Sequence, residues 1–147
     1  MRICFKLMPL FLLLIVGMTA GCSGDNGPAG LEPPDYDITG TWTLTETADE
    51  TDCDEGVNEY VYDAIIVQDG NDLTVTIHGT PCSGKISGSR VWWSGNLPEA
   101  GGTTTIHGMD LTVAEGGEEM AGHFEWDWTD GEGACSGSSE LAAEKTG

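Results

Sequence analysis

Short segments in which apolar and polar residues alternate constrain the fold of this 147-residue chain more than any other feature. A period of two is typical of a β-strand with one buried face, because successive side chains of a strand point to opposite sides. In the clearest example Leu73, Val75 and Ile77 alternate with threonines. No segment has the period of an amphipathic helix, so the sequence predicts an all-β fold. The alternation recurs in residues 41–47, 61–67 and 124–128.

Turn residues separate these segments at short intervals. Residues 69–72, Asp-Gly-Asn-Asp, predict a hairpin, since Gly and Asn tolerate positive φ. The alternation within residues 103–113 changes phase at Gly108, which predicts a β-bulge. Residues 84–93 are interpreted as a single strand, which is weakened by its glycines. About seven or eight short strands joined by hairpins predict a small antiparallel up-and-down barrel, because closure removes exposed strand edges.

The first predicted strand opens with Gly40, Thr41 and Trp42. This tripeptide, at the head of a meander of strands in a chain of this size, resembles the Gly-x-Trp opening of lipocalins and related calycin barrels. The resemblance implies a lipocalin-like barrel, and it identifies no ligand. The side chains expected inside are large enough to fill a small barrel, which favours a domain without an enclosed ligand. They are Leu73, Val75, Ile77, Met109, Leu111 and Trp126.

Residues 1–21 have the pattern of a cleaved secretion signal. A basic start precedes an apolar stretch that is shorter than the about 20 residues of a spanning helix, and small residues follow it. The run from Thr19 to Cys22, Thr-Ala-Gly-Cys, resembles the lipobox of bacterial lipoproteins. The resemblance implies that a diacylglycerol is attached to the Cys22 sulfur and that cleavage falls between Gly21 and Cys22. In the family that it resembles, an Asp after the cysteine retains the protein in the inner membrane, so Ser23 at that position implies the outer membrane in a cell with two membranes.

Residues 22–37, rich in Gly, Pro and Asp, predict a flexible tether between the lipid and a single domain of residues 38–147. Without the signal, the chain has 25 acidic residues and only three lysines and arginines, so its net charge is −22 (three minus 25). The three are Lys85, Arg90 and Lys145. Such a surface repels phosphate backbones, which excludes nucleic acid as a partner. The predicted partners are the membrane, through the N-terminal lipid, and an unidentified protein or small apolar ligand.

Cysteines Cys53, Cys82 and Cys135 remain for the domain, in a compartment where disulfides persist. One disulfide and one free thiol are the simplest outcome. In a simple meander the loops that carry Cys53 and Cys82 follow the first and third strands and lie at the same end of the barrel. Cys135 follows an even-numbered strand and lies at the other end. We therefore predict a Cys53–Cys82 disulfide, whereas one additional strand before Cys135 would allow Cys53–Cys135 instead.

Two groups of acidic residues raise the question of a metal. The loop of residues 49–59 is dense in carboxylates that could hold Ca²⁺, but its spacing does not match an EF-hand, and a solvated loop is favoured. His123, Glu125 and Asp127 share one face of a strand and would need a further ligand, such as His107 or His78, to bind a metal. We predict no metal and no cofactor.

Residues 133–137, Gly-Ala-Cys-Ser-Gly, have the spacing of a nucleophile elbow with cysteine as the nucleophile. Such an elbow requires a strand-to-helix turn in an α/β sheet, together with histidine and acid partners. A short all-β chain does not supply that framework, so we predict that the protein is not an enzyme.

Trp92 and Trp93 are two of five tryptophans in a small domain. Because they are adjacent on one predicted strand, they must point to opposite faces. Ile86 shares the phase of Trp92, which predicts Trp92 inside the barrel and Trp93 outside, where it could contact a ligand or partner. We therefore predict a non-catalytic lipoprotein with a structural or interaction barrel. The alternatives are a lipocalin-like binding module for an apolar or aromatic small ligand and a domain that binds Ca²⁺ through the acidic loop.

Overall fold

Eight antiparallel strands form a closed barrel, in which each strand pairs with its neighbours in sequence and the last pairs with the first. The structure is a computed structural model that describes residues 30–99 and 101–147. The predicted signal and Cys22 lie outside these described residues. The all-β, up-and-down barrel predicted from the sequence is confirmed. The strands are β1 Gly40–Glu50, β2 Gly56–Asp69, β3 Asp72–Ile77, β4 Thr80–Ser87, β5 Arg90–Glu99, β6 Gly102–Val113, β7 Glu119–Thr129 and β8 Ala134–Lys145, with a 3₁₀ turn at Thr51–Cys53.

None of the residues in these two ranges forms a helix long and apolar enough to cross a membrane.

The barrel interior is formed by the alternating apolar residues that the sequence singles out. On β1, Trp42 and Leu44 are completely buried, and the threonines that alternate with them face outward. The six side chains expected inside the barrel, from Leu73 to Trp126, are all buried. Strand alternation therefore places these side chains correctly. On β2 it does not, because the alternating Val61, Ile65 and Val67 are more than half exposed and the buried residues are Ala64 and Ile66.

Two predicted breaks in the pattern are also confirmed. Asp69 pairs with Asp72 across a tight turn in which Gly70 has φ of 59°. On β6 the register shifts between His107 and Asp110, with Gly108 at φ of 57°. The β-bulge carries the buried positions from the even phase to the odd phase of the sequence.

The main difference from the sequence prediction is a hairpin inside residues 84–93. Ser87 pairs with Arg90 across a two-residue turn, in which Gly88 has φ of 55°. Even-numbered positions face inward before the turn and odd-numbered positions face inward after it. Ile86 and its partner Val91 are therefore both inside the barrel.

The assignment of Trp92 to the inside and Trp93 to the outside was therefore wrong. Trp93 follows the phase of the buried Val91 and is only 2% exposed. Trp92 pairs with Lys85 on the outer wall, where it is half-buried. Trp93 thus has no surface through which to contact a partner.

The same hairpin overturns the predicted Cys53–Cys82 disulfide. It adds one strand before Cys135, so Cys135 follows β7 and lies at the same end of the barrel as Cys53. Since β1 and β8 are neighbours, the two residues meet, with a Cα–Cα distance of 5.4 Å, and form the disulfide. Cys82 points into the barrel from β4 and is a buried free thiol in the described part of the chain.

The N-terminal residues 30–39 lie across one end of the barrel. Asp35 N donates to Gly88 O at 3.0 Å, and Glu32 N donates to Ser87 Oγ at 2.9 Å. Ile38 is completely buried there. We call this the closed end. The packed part of the chain thus begins before residue 38, within the segment that composition assigned to the tether.

Candidate functional site in the open end of the barrel

The end of the barrel opposite the closed end contains a cavity of about 800 Å³. It lies beneath the connections β1–β2, β3–β4, β5–β6 and β7–β8, and we call it the mouth cavity. Its walls combine aromatic and aliphatic side chains with carboxylates, whereas the fully buried Leu44 lies on the closed-end side of it. The residues that define it include Glu46, Glu50, Tyr60, Tyr62, Leu97, Glu99, Thr104, Phe124, Trp126 and Trp128.

Glu46 lies deeper in the mouth cavity than the other acidic residues of β1. It is in phase with the buried Trp42 and Leu44, so it points into the barrel. Tyr62 Oη donates a hydrogen bond to Glu46 Oε2 at 2.8 Å, and Ser139 Oγ donates to Glu46 Oε1 at 2.5 Å. These donors come from β2 and β8, the two strands that flank β1.

The electrostatic setting of the cavity shifts three pKa values. Burial raises the pKa of Glu46 above the ordinary carboxyl value, although the hydrogen bonds from Ser139 and Tyr62 offset part of the rise. Burial, followed by the nearby Glu46 charge, raises the pKa of Tyr62. Burial, followed by a hydrogen bond to Glu50, raises the pKa of Tyr60 to about 12. Both phenols therefore remain protonated near neutral pH and act as donors.

The aromatic wall belongs mainly to β7. Trp126 is buried, and its Nε1 donates to Ser139 Oγ at 3.1 Å, which connects the wall to the Glu46 network. The ring of Trp126 occupies space that any Cβ on Gly137 would fill. Trp128 is half-buried nearer the rim, where a Cβ on Gly102 would lie 2.6 Å from its Cε2 atom. Neighbouring glycines therefore make room for both indoles.

The acidic loop predicted as an alternative Ca²⁺ site forms part of the rim. Glu50 accepts hydrogen bonds from Asn58 Nδ2 at 2.5 Å and Tyr60 Oη at 3.0 Å. Asp49 instead accepts from Thr51 N at 3.1 Å. Among residues 30–99 and 101–147, no three His, Cys, Asp or Glu side chains are grouped to hold a metal ion. The loop geometry gives the calcium hypothesis no support.

On the outer wall, the strand carrying Glu125 and Asp127 does acquire His107 from β6, as the sequence allowed. His107 Nε2 lies 2.9 Å from Asp127 Oδ2, and Nδ1 lies 3.6 Å from Glu125 Oε2. The two carboxylates approach opposite nitrogens of the ring, so a single ion could not bind all three side chains. This group is a surface hydrogen-bonding cluster.

Other residues singled out from the sequence lie away from the mouth cavity or have another role. Trp93 is buried in the core, and Trp92 lies on the outer wall. Cys135 lines the rim, but its sulfur is bonded to Cys53 and is not a free nucleophile.

Glu46, Tyr62 and Ser139 were not among the site residues predicted from the sequence. For Glu46 a signal was present, since its phase on β1 matches that of Trp42 and Leu44 and therefore indicates an inward carboxylate. Ser139 has no comparable signal, because β8 is rich in small residues on both faces.

Neither a protein-family model nor a curated protein sequence matches this chain significantly. The geometry of the mouth cavity is therefore the basis for a functional proposal.

Proposed function

We propose that this domain is a non-catalytic binding module that takes an apolar or aromatic small ligand in the mouth cavity. The observation that supports the proposal is the cavity itself, about 800 Å³ with an opening to solvent. Small-molecule sites are typically concave, are about 300–1,000 Å³ in volume, and combine apolar walls with a few polar groups. Trp126 and Trp128 provide such walls, and Glu46 with Tyr62 provides the polar groups.

The distribution of side-chain volume favours ligand binding over a purely structural barrel. Large side chains such as Trp42, Ile66 and Leu111 fill the barrel towards the closed end. Towards the open end the inward positions include Thr104 and residues of the rim loops, which leave space unfilled. A structural barrel has no need of a large cavity, because a well-packed interior gives greater stability.

The proposal includes attachment of the chain to the bacterial cell envelope through lipid on Cys22. Its support is the sequence of residues 19–22, which resembles a lipobox, and Ser23 favours the outer membrane. The Gly-x-Trp opening at Gly40 to Trp42 supports a lipocalin-like architecture for the barrel.

Isothermal titration of the purified full chain, held in phosphatidylcholine bilayer discs, with neutral tryptophol (indole-3-ethanol) tests the proposal. Empty discs provide the blank. We expect saturable binding that Trp128→Ala weakens roughly fivefold or more, because the variant removes an aromatic wall. Trp92→Ala is the matched control, since Trp92 is also half-buried but lies on the outer wall.

No saturable heat above the blank would contradict the proposal. Equal weakening by the two variants would contradict it as well, since it would show that the indole does not bind in the mouth cavity.

A further inference from the structure

We propose that the preferred ligand of the mouth cavity is an organic cation, an amine with an aromatic or apolar body, whose ammonium group pairs with the Glu46 carboxylate. This inference rests on the proposed binding function and adds the charge of the ligand. It follows from the charges, the hydrogen bonds and the aromatic groups of the cavity.

All the fixed charges that line the mouth cavity are negative. Glu46, Glu50 and Glu99 line it together with acidic residues of the β1–β2 loop. Neither lysine nor arginine lines it in the described part of the chain. In a partly enclosed cavity, like charges on the wall concentrate the field and attract a ligand of opposite sign.

The lysine and arginine residues of the described chain are all engaged near the closed end. Lys85 pairs with Asp72, and Arg90 forms a two-atom contact with Asp110 at 2.9 Å and 3.1 Å. Lys145 Nζ lies 3.4 Å from the carbonyl oxygen of Asp37. None of these three is therefore positioned to neutralise the mouth cavity.

Glu46 has hydrogen-bond donors but lacks a cationic partner among the described residues. Its donors, Tyr62 and Ser139, are neutral hydroxyl groups that use one site on each carboxylate oxygen. A carboxylate offers about four acceptor sites in all, so it retains capacity for an ammonium donor. A hydrogen bond between ionised partners is also stronger than one between neutral groups.

The aromatic wall suits the remainder of such a ligand. Phe124, Trp126 and Trp128 line the cavity beside the Glu46 network. Aromatic rings attract cations through their π faces and provide apolar contact for an organic body. A hydrated inorganic ion gains nothing from this wall, whereas an aromatic amine can use both the wall and the carboxylate.

Three ligands with one indole body test the inference: tryptamine (cation), tryptophol (neutral) and indole-3-acetate (anion). By isothermal titration of the full chain in discs, we expect tryptamine to bind about tenfold more tightly than tryptophol, and indole-3-acetate not to bind. Glu46→Gln should abolish the preference for tryptamine, so that tryptamine and tryptophol bind with the same affinity. Glu140→Gln, which removes the same charge from the exposed outer wall, should leave the preference intact.

Salt dependence tests the inference without any substitution. Raising the salt concentration from about 0.15 M to about 1 M shortens the Debye length from about 8 Å to about 3 Å. We expect this to weaken tryptamine binding and to leave tryptophol binding unchanged.

The outcomes separate the two proposals. If tryptophol and tryptamine bind equally, the inference is wrong and the binding function stands. If tryptophol gives no saturable binding, the binding function itself fails. Heat from CaCl₂ alone that Glu46→Gln abolishes would also overturn the inference, because it would assign the carboxylate to a metal ion.

Discussion

Cys53 and Cys135, which are 82 residues apart, are joined by a disulfide that ties the β1–β2 loop to the start of β8 at the rim of the mouth cavity. The bond connects the first and last strands of the barrel, whose pairing closes the sheet. It therefore restrains the contact between β1 and β8, the two neighbouring strands that lie farthest apart in sequence.

We expect removal of this disulfide to destabilise the domain. Cys53→Ala should lower the free energy of unfolding by about 2–4 kcal/mol, because the unfolded chain gains freedom when a long loop is opened. Urea denaturation of the oxidised protein measures the change. Cys82→Ala is the control, because Cys82 is a cysteine outside the disulfide. Peptide mapping without reductant should give a linked Cys53–Cys135 fragment. A Cys53–Cys82 fragment would contradict the structure.

Two equally buried indoles should respond differently to loss of the N–H group. Trp42 Nε1 donates to Ile38 O at 2.9 Å, whereas the Trp93 Nε1 atom is buried without a partner among the described residues. Trp42→Phe should therefore cost about 1–3 kcal/mol more than Trp93→Phe, since only the former removes a buried hydrogen bond. Denaturant melts of both variants measure this difference. Equal costs would show that the two indole N–H groups have equivalent surroundings.

The ionisation of Glu46 should make its contribution to stability depend on pH. Because burial raises the pKa of Glu46 in the folded state, the folded chain binds this proton more tightly than the unfolded chain. Stability is therefore lost as pH rises from the ordinary carboxyl pKa of 4.5 through the raised value. Glu46→Gln cannot ionise and avoids that loss.

The free energy of unfolding of Glu46→Gln, relative to the unsubstituted protein, should therefore increase with pH across that window and level off on either side. Melts at a series of pH values, with Glu140→Gln as the control, measure the trend. The opposite slope would mean that the Glu46 carboxylate is stabilised on folding.

Cys22→Ser should release the protein from membranes into the soluble fraction, because it removes the sulfur that carries lipid in a lipoprotein. Fractionation followed by a carbonate wash tests this. Cys4→Ser, within the predicted signal, should leave the protein in the membrane fraction. Retention of the Cys22→Ser protein after the wash would show that the chain is not anchored through this residue.

The sequence predicts the barrel well because strand alternation depends only on neighbouring residues. Leu73, Val75 and Ile77 show which face is buried without any knowledge of their partners. The turn at Gly88 and Ser89 was missed although the apolar positions change phase from Ile86 to Val91, which indicates a break in the strand. Because the turn was omitted, the predicted inward and outward assignments of Trp92 and Trp93 were exchanged. Cys135 was predicted at the wrong end of the barrel for the same reason.

The mouth cavity could not be derived in this way. Its volume depends on how far apart the strands of a closed barrel lie and on which inward side chains meet across it. Glu46 gives a local signal through its phase, but its contacts with Tyr62 and Ser139 require the pairing of β1 with both β2 and β8. A polar network that spans three strands is a property of the closed sheet.

The placement of residues 30–39 across the closed end has a consequence for orientation. Gly30 follows Cys22 by eight positions (30 minus 22), which allows a reach of at most about 29 Å. A lipid on Cys22 would therefore hold the closed end, with Lys85, Arg90 and Lys145, towards the anionic bilayer surface. The carboxylates at the opposite end would then point into the aqueous space, so a ligand could reach the protein without first crossing the lipid headgroups.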